Sequence, residues 1–288
     1  MLPTRQIAHF GPAGNCDEFN NEKHKSNAEA PAWVRNYGLD CYEYQCGSGV
    51  HGSETSFRAV GKAAEAAGIE LSLHAPYYIS LSGIETEKRI GSLRYISESL
   101  QACEWMGGNL IVVHTGSAAK ISRSEAMDLA KDTLYKALES IPDNGIIIGL
   151  ETMGKQNQLG TPEEVVELCE MDMRLCPVVD FGHINAFHCG NYFVKADDYK
   201  KIFDLIGSKL GKDTAKNLHC HFSKIEYTSK GEKKHLTFED DVFGPPFEPL
   251  AELIAKEGLT PRIICESDGT QAKDALKLKN KYIEYKGI

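Results

Sequence analysis

The sequence lacks the features of membrane proteins, secreted proteins and proteins that coat nucleic acid. No apolar run reaches the ~18 residues of a membrane-spanning helix. The first ten residues, MLPTRQIAHF, have neither the basic nor the apolar stretch of a signal peptide. The net charge is -9 over 288 residues, which argues against a broad basic surface. We therefore expect a cytoplasmic protein with no membrane partner, and nothing in the chain indicates an obligate protein partner.

The sequence also lacks a disulfide or zinc-finger pattern of cysteines. Its nine cysteines are scattered, without a CxxC pair, and several lie in apolar, strand-like runs. Reduced and mostly buried thiols fit this distribution best. With 42% hydrophobic and 25% charged residues, the chain is an ordinary globular protein that can bury a core without disulfides.

Short apolar runs alternate with helical stretches along the whole chain. Eight runs are typical of buried strands: Gln6–Phe10, Cys41–Gln45, Ile69–His74, Asn109–His114, Ile146–Glu151, Cys176–Asp180, Asn217–Phe222 and Arg262–Glu266. Strands that are apolar on both faces need cover on both sides, as in parallel α/β folds. The alternation fits a barrel or a doubly wound sheet. Eight repeats at this length favour an α/β fold with a single (β/α)8 TIM barrel over residues 1–288.

Three segments between these runs are typical of amphipathic helices. Glu85–Met106 has apolar residues every three or four positions, and Ser124–Leu138 and Thr161–Cys169 show the same spacing. Thr161 and the following Pro162 are a typical helix start. The longest piece without a periodic pattern is Ser223–Pro246, which we interpret as an irregular functional loop or a solvated flap.

Charged or imidazole side chains lie at the ends of these runs. Seven of the eight predicted strands have such a residue at or near their carboxyl ends: His9, His74, His114, Glu151, Asp180, His219 with His221, and Glu266. One polar residue at a strand end is commonly a helix cap. In a barrel, however, all carboxyl ends of the strands meet at one mouth, where active sites of this fold lie.

A cluster of carboxylates and imidazoles at one mouth predicts bound cations. Buried carboxylates without counter-charges repel one another and resist desolvation. Mixed imidazole and carboxylate ligands suit zinc, manganese or iron better than calcium. The Asp180-Phe181-Gly182-His183 element could serve two neighbouring ions, as in two-metal hydrolases, although Asp180 could also simply cap a helix.

The same residues resemble the endonuclease IV family (AP endonuclease family 2) of the xylose isomerase-like barrels. The resemblance runs along most of the chain, in LSLHAPYYISL, NLIVVHTGS, GLETMGKQNQLGTPEE, VVDFGHINA, LHCHFSK and IICES. It implies a metal-dependent phosphodiesterase with two to three divalent ions, usually zinc and with manganese possible, that cleaves DNA 5′ to abasic sites. Abasic or damaged DNA would be the substrate.

The resemblance also implies a role for each residue. His74, His114 and Glu151 would hold the first ion. Glu151 would bridge to a second ion, and this ion would also be held by Asp180, His219 and Glu266. His183 and His235 would hold the third ion.

The resemblance further implies catalytic and substrate-binding groups. Glu151 and Glu266 would act as catalytic residues that position the attacking water. His9, Tyr77 and Lys224 would form the substrate-binding set: His9 near the site, either behind the metal ligands or on the phosphate side, Tyr77 at the lesion and Lys224 on the nucleic-acid backbone.

Two segments depart from the family pattern. In GEKKHL, Lys233 stands where the family has an acid before His235. Glu232, one residue earlier, could reach the third ion or could be a solvated side chain. The loop after the second strand, YQCGSGVHGSE, has no Arg or Lys, whereas the family inserts an Arg- and Gln-rich loop into DNA at this place.

Two other functions stay open at this point. A sugar or sugar-phosphate isomerase or epimerase of the same superfamily would need only one or two ions, and Glu151, Asp180, His219 and Glu266 would suffice for it. A metal-binding or damage-binding protein without turnover is the third possibility, because of Lys233 and the missing basic loop.

Overall fold

The computed structural model describes residues 3–288, so the first two residues of the predicted 1–288 domain lie outside the described part. Its strands, in chain order, are β1 (His9–Pro12), β2 (Cys41–Gln45), β3 (Glu70–His74), β4 (Leu110–His114), β5 (Ile147–Glu151), β6 (Leu175–Asp180), β7 (His219–Phe222), β8 (Lys224–Thr228), β9 (Gly231–Leu236) and β10 (Arg262–Cys265). Eight of them form one parallel sheet in the order β1-β10-β7-β6-β5-β4-β3-β2, and β8 pairs with β9 in an antiparallel hairpin.

Helices follow the barrel strands and cover the outer face of the sheet. They are α1 (Asp17–Asn21), α2 (Ala30–Asn36), α3 (Glu54–Ala67), α4 (Thr86–Met106), α5 (Arg123–Ser140), α6 (Pro162–Cys169), α7 (Phe181–Phe187), α8 (Ala196–Leu210), α9 (Lys212–Lys216), α10 (Glu248–Glu257) and α11 (Gln271–Lys286). Between residues 3 and 288, no helix combines the length and the hydropathy that a membrane crossing requires.

The sheet closes on itself where β1 meets β2. The amide of Gly14 donates to the carbonyl of Glu43 over 2.8 Å, and the amide of Asp40 donates to the carbonyl of Phe10 over 2.9 Å. The two strands approach so closely that a Cβ on Gly11 would lie 1.8 Å from the carbonyl oxygen of Cys41. A glycine is therefore required at this seam. The predicted (β/α)8 barrel is confirmed.

The predicted helices are confirmed within two residues at their ends. The interpretation of Thr161 as a helix start is confirmed by a capping box, in which its hydroxyl accepts from the amide of Glu164 and the Glu164 carboxylate reaches back. The interpretation of Ser223–Pro246 as wholly irregular is wrong, because this segment contains the β8–β9 hairpin. The alternation of buried and exposed residues in this hairpin is too short to predict strands. The fully buried Ile225 anchors the hairpin to the body of the protein.

The first strand starts three residues later than predicted, at His9. His9 pairs in register with Arg262, the first residue of β10, so it lies at the amino end of the barrel. Its Nδ1 atom is 3.2 Å from Glu70 Oε2, at the start of β3. The expectation that His9 lies near the site at the barrel mouth is therefore wrong.

Glu70 is the centre of a charged cluster at this amino end. Its carboxylate contacts Arg5, His9 and the fully buried Arg262, whose Nη1 atom is 3.0 Å away. Burial alone would raise the pKa of Glu70, but the charge of Arg262 and the hydrogen bonds from Arg5 and His9 hold this pKa well below its ordinary value. The carboxylate therefore stabilises the folded state in its ionised form.

We expect Glu70→Gln to lower the free energy of unfolding by about 3–5 kcal/mol at neutral pH, because it leaves buried Arg262 without its counter-charge. Since the folded pKa lies below the ordinary value of 4.5, this contribution is complete above pH 4.5 and is lost as the pH falls below it. The wild type should lose its advantage over the variant by about 1.4 kcal/mol per pH unit there. Urea unfolding between pH 3 and 7 measures the difference.

The matched control is Glu54→Gln, because Glu54 forms an exposed pair with Arg58 one helical turn away. It should change the free energy of unfolding by no more than about 0.5 kcal/mol. A difference between wild type and Glu70→Gln that stays constant down to pH 3 would contradict the role given to the Glu70 carboxylate.

Candidate metal centre

The carboxyl ends of the barrel strands bring ligand side chains to one mouth, as the fold requires. His74, His114, Glu151 and Asp180 are the last residues of β3, β4, β5 and β6, and Glu266 follows β10 directly. Glu151 and Asp180 are fully buried, and His114 and Glu266 are partly open to the mouth. The structure therefore brings these predicted residues together.

His74, His114 and Glu151 form the first ligand group. Both Nε2 atoms face Glu151 Oε2, from 3.6 Å for His74 and 3.1 Å for His114. The Nδ1 atom of His74 lies 2.9 Å from the carbonyl oxygen of Ala75. A carbonyl can only accept, so Nδ1 carries the proton and the lone pair of Nε2 points into the group.

Glu151 is shared with a second group that contains Asp180, His221 and Glu266. Its other oxygen, Oε1, lies 3.0 Å from Nδ1 of His221, and Glu266 Oε1 lies 3.4 Å from the same nitrogen. Each of the four residues offers a ligand atom within 4.8 Å of the others. A carboxylate that faces one group with each oxygen is suited to bridge two cations.

The expectation that His219 belongs to this second group is wrong, because the structure places His221 there. Residues 219 and 221 both point into the barrel, since side chains two apart share a face of a strand. β7 ends at Phe222, so His221 lies at the mouth and His219 lies one layer deeper. The imidazole of His219 contacts Glu43 and Arg262 instead.

Asp180 has a double role in the structure. Its Oδ1 atom accepts from the backbone amide of His183 over 2.7 Å and thereby caps α7. Helix capping was the alternative to metal binding that the sequence allowed for Asp180. Its Oδ2 atom is free of that contact and lies 3.4 Å from Nδ1 of His183. The same Nδ1 lies 3.0 Å from the carbonyl oxygen of Thr152, which fixes its proton and leaves Nε2 of His183 as the ligand atom.

The third group consists of His183, Glu232 and His235, whose ligand atoms lie within 4.8 Å of one another. Nε2 of His183 is 3.6 Å from Glu232 Oε2. Glu232 and His235 reach this place from the β8–β9 hairpin, which folds over the mouth. The structure thus brings His235 and Glu232 together. From the sequence alone, Glu232 could equally have been a solvated side chain.

A β-bulge explains how Glu232 and His235 share a side of β9. Residues three apart in an unbroken strand point to opposite faces. In the hairpin, Tyr227 pairs with Glu232 while the preceding Glu226 pairs with Lys234, so Lys233 is an extra residue without a partner. Because the bulge takes up this extra residue, Glu232 and His235 point to the same face of β9. The Lys233 ammonium turns away from that face and lies 2.6 Å from Glu226.

Burial and mutual charge shift the pKa values of these groups in opposite directions. Burial raises the pKa of Asp180 to about 6. Burial also acts against charge on Glu151, but the nearby imidazoles of His221, His114 and His183 hold its pKa well below the ordinary value. Neighbouring carboxylates with opposite shifts are typical of functional sites.

Two buried oxygens in the mouth show that cations fit these groups. Glu151 Oε2 and Asp180 Oδ2 have no aligned hydrogen-bond donor among residues 3–288. Uncompensated buried carboxylate oxygens are costly, and a divalent cation would satisfy each of them. The mixed nitrogen and oxygen donors suit zinc, manganese or iron.

Tyr77 lies beside the first group with its side chain exposed. Its ring centroid is 5.3 Å from that of His74 and 5.2 Å from that of His114. The ring packs on the backbone of Gly47, where a Cβ would lie only 2.5 Å away. Gly47 therefore provides a flat support for Tyr77. Lys224 starts the hairpin, and its ammonium donates to the carbonyl of Asp240.

Glu43, which lies in the middle of β2 and is fully buried, was not predicted as a site residue. It contacts His219 and His221, and these three residues also form a group with ligand atoms within 4.8 Å. The available signal was an acid within a buried strand. A charged residue in mid-strand lies outside the pattern of polar strand ends from which the site was predicted.

The chain is a parallel eight-stranded barrel with imidazole and carboxylate groups at its mouth. This arrangement is typical of TIM-barrel enzymes. Residues 31–282 match the xylose isomerase-like TIM barrel family, and the chain belongs to this family.

Similar proteins include an uncharacterized protein from Methanocaldococcus jannaschii, which is 28% identical over 248 residues, or 85% of this chain and 88% of the relative. A protein named probable endonuclease 4 from Mycoplasma pneumoniae is 30% identical over 192 residues. That match covers 64% of this chain and 63% of the relative, so it spans less than two thirds of either protein.

Solved structures share the fold. A D-tagatose 3-epimerase-like protein superposes with a TM-score of 0.67 at 21% identity, over 86% of this chain and 90% of the other. Endonuclease IV from Thermus thermophilus superposes with a TM-score of 0.65 at 19% identity, over 90% and 94%. At these identities the likeness concerns the fold alone.

Proposed function

We propose that this protein is a metal-dependent phosphodiesterase that cleaves DNA 5′ to abasic sites with a cluster of three divalent ions, zinc or manganese. The observation that carries the proposal is the presence of three adjacent ligand groups at one mouth. The first two share Glu151, and the third is joined to them through His183, whose Nδ1 lies 3.4 Å from Glu151 Oε1. A reaction that needs one ion would use only one of these groups and would leave most of the imidazoles without an ion to bind.

When bound, divalent ions in such a cluster neutralise charge on a phosphodiester and acidify a water molecule. Residues of the chain hold this arrangement in place. His74 and His114 with Glu151 would bind one ion, Asp180, His221 and Glu266 the next, and His183, Glu232 and His235 the last. Glu151 and Glu266 would also orient the attacking water. Because bound divalent ions would lower the pKa of this water toward neutrality, no further side chain would be needed as a general base.

The assignment of abasic DNA as substrate is supported by Tyr77 and by one group of relatives. Tyr77 presents an exposed aromatic face next to the ligand groups, on which a base or a sugar ring at a lesion could stack. Proteins named probable endonuclease 4 are among the relatives. Lys224 lies at the start of the hairpin that supplies the third group, and we propose that it contacts the nucleic-acid backbone.

A sugar epimerase is the second candidate, and it is favoured by the second ligand group. Glu151, Asp180, His221 and Glu266 are complete without the other two groups. The loop after β2 contains no Arg or Lys that could penetrate DNA. Several proteins of the same fold are named as epimerases of D-psicose or related sugars.

The experiment that tests the proposal is incubation with a duplex that carries one tetrahydrofuran abasic analogue, in the presence of zinc or manganese. We expect a single cut 5′ to the analogue, no cut in the undamaged duplex, and no cut after chelation. The same preparation is assayed for interconversion of D-psicose, D-tagatose and D-fructose.

The His183→Ala variant separates the two candidates. A phosphodiesterase that uses the third group should lose cleavage with this variant, whereas an epimerase that uses the second group should keep turnover. Intact abasic duplex at high enzyme and metal, together with epimerisation of a sugar, would favour the second candidate. Binding to abasic duplex without cleavage would indicate a damage-binding protein.

A further inference from the structure

The interior of this barrel contains a chain of polar side chains that runs from the amino end to the mouth. TIM-barrel interiors are mostly filled with Val, Ile and Leu. Here Arg262, His219, Glu43 and His221 lie inside the barrel in contact with one another, and each is at most 1% exposed. Arg262 is anchored at the amino end by Glu70, and His221 ends at the second ligand group. Buried polar groups of this kind need a defined partner for every proton.

The direction of the first hydrogen bonds is fixed by Arg262. A guanidinium can only donate, and Nε of Arg262 lies 2.7 Å from Nδ1 of His219. Nδ1 of His219 must therefore be the acceptor, which places the proton of this imidazole on Nε2. That nitrogen lies 3.0 Å from Oε2 of Glu43 and donates to it.

The second oxygen of Glu43 faces the next imidazole. Oε1 lies 3.0 Å from Nε2 of His221, although the two atoms are not aligned as a hydrogen bond, whereas Nδ1 of the same imidazole makes an aligned hydrogen bond with Glu151 Oε1. When an ion takes the lone pair of Nδ1, the proton of His221 has to be on Nε2, and Glu43 Oε1 is the carboxylate oxygen within reach of it. Nδ1 then faces Glu151 and Glu266, which lie 3.0 Å and 3.4 Å away and would share the ion with it.

We propose that Glu43 is a positioning residue that sets the tautomer of His221, so that Nδ1 is presented to the second ion of the cluster. This inference rests on the proposed metal centre. Glu43 and the two imidazoles could also be taken for a fourth metal site. The hydrogen bond from Arg262 argues against it, because His219 has no lone pair left on Nε2. Carboxylates that orient ligand imidazoles in this way typically raise metal affinity about 10–100-fold.

The test uses Glu43→Gln in the full-length protein. Since Arg262 keeps the His219 proton on Nε2, the carbonyl oxygen of the new amide must accept from His219. Its NH2 group then faces His221 and turns Nε2 of that imidazole into the acceptor, which moves the proton to Nδ1. The second ion should bind about 10–100-fold more weakly, with the other two ions within about threefold of wild type.

The matched control is Ser72→Ala. The hydroxyl of Ser72 donates to Glu43 Oε2 over 2.9 Å, so this change removes a contact of the same carboxylate without touching an imidazole. We expect it to leave all zinc affinities within about threefold of wild type, because the tautomers are unchanged. Zinc per chain is measured by elemental analysis after dialysis against chelator-buffered zinc at a series of free concentrations.

Nitrogen-15 NMR of the zinc-loaded wild type gives a second readout that does not need the variant to fold. We expect His221 to show a metal-bound Nδ1 and a protonated Nε2, and His219 to show a protonated Nε2 without metal. Zinc on His219, a proton on Nδ1 of His221, or a Glu43→Gln variant with wild-type zinc binding would overturn the inference. If the wild type binds no zinc, the proposed function fails with it. If the wild type binds zinc as expected and Glu43→Gln binds it equally well, the inference fails and the proposed function is unaffected.

Discussion

Glu151→Gln should lower the rate of abasic-site cleavage by at least about 10³-fold. Glu151 is the residue on which the first two ligand groups depend. Its Oε2 atom faces the imidazole of His114 at 3.1 Å, and its Oε1 atom faces that of His221 at 3.0 Å. The amide offers one weak acceptor and one donor, so it cannot bridge two cations. The cleavage rate on the tetrahydrofuran duplex and the zinc content per chain are measured together, and zinc should fall by two ions.

The matched control for this variant is Glu164→Gln. Glu164 is paired with Arg123 and belongs to the capping box of α6, in which Gln also serves. The control should keep its zinc and cleave within about threefold of wild type, because its carboxylate contacts Arg123 and the amides of Gly160 and Thr161, none of which is a ligand residue. A Glu151→Gln variant that retains three zinc ions and most of its cleavage would contradict the bridging role.

Removal of the ions should strongly destabilise the fold. The mouth places Asp180, Glu151 and Glu266 in contact through shared imidazoles, and two of their buried oxygens lack donors. An ion bound only by the folded state adds about 4 kcal/mol of stability at a free concentration about 1,000 times its dissociation constant. We therefore expect urea unfolding with zinc and with a chelator to differ by at least that amount.

Magnesium at the same free concentration is the control for this experiment, because it prefers oxygen ligands and binds imidazole poorly. It should leave the unfolding curve close to that of the chelated protein. Equal stability with zinc and with chelator would show that the clustered acids are compensated by protons and imidazoles rather than by cations.

The sequence predicted the barrel and most of the mouth because both follow from simple periodicities. Buried strands alternate with helices, and the parallel strands place His74, His114, Glu151 and Asp180 at one rim. The helix start at Thr161 also follows from local chemistry, since its hydroxyl and Glu164 form a box within one turn. These features depend on residues close together in the chain or on the strand direction alone.

The remaining features depend on where a strand starts and ends. His219 and His221 point to the same face of β7, so only the end of the strand decides which one reaches the mouth. His9 was misplaced in the same way, because β1 begins close to where the pattern predicted it would end. The boundaries of strands are set by tertiary pairing, here with Arg262 of β10, which the local sequence does not contain.

Two features of the site could be recognised only in three dimensions. The bulge at Lys233 brings Glu232 and His235 to one side of β9, and its position depends on pairing with β8. Glu43 lies in mid-strand, and its partners His219 and His221 are far away in the chain. Neither the bulge nor the buried carboxylate leaves a periodic signal.

Zinc-edge anomalous diffraction from crystals of the zinc-loaded protein tests the central claim most directly. We expect three peaks at the mouth: one between His74, His114 and Glu151, one between Glu151, Asp180, His221 and Glu266, and one between His183, Glu232 and His235. A single peak, no peak, or a peak next to His219 instead of these groups would contradict the account.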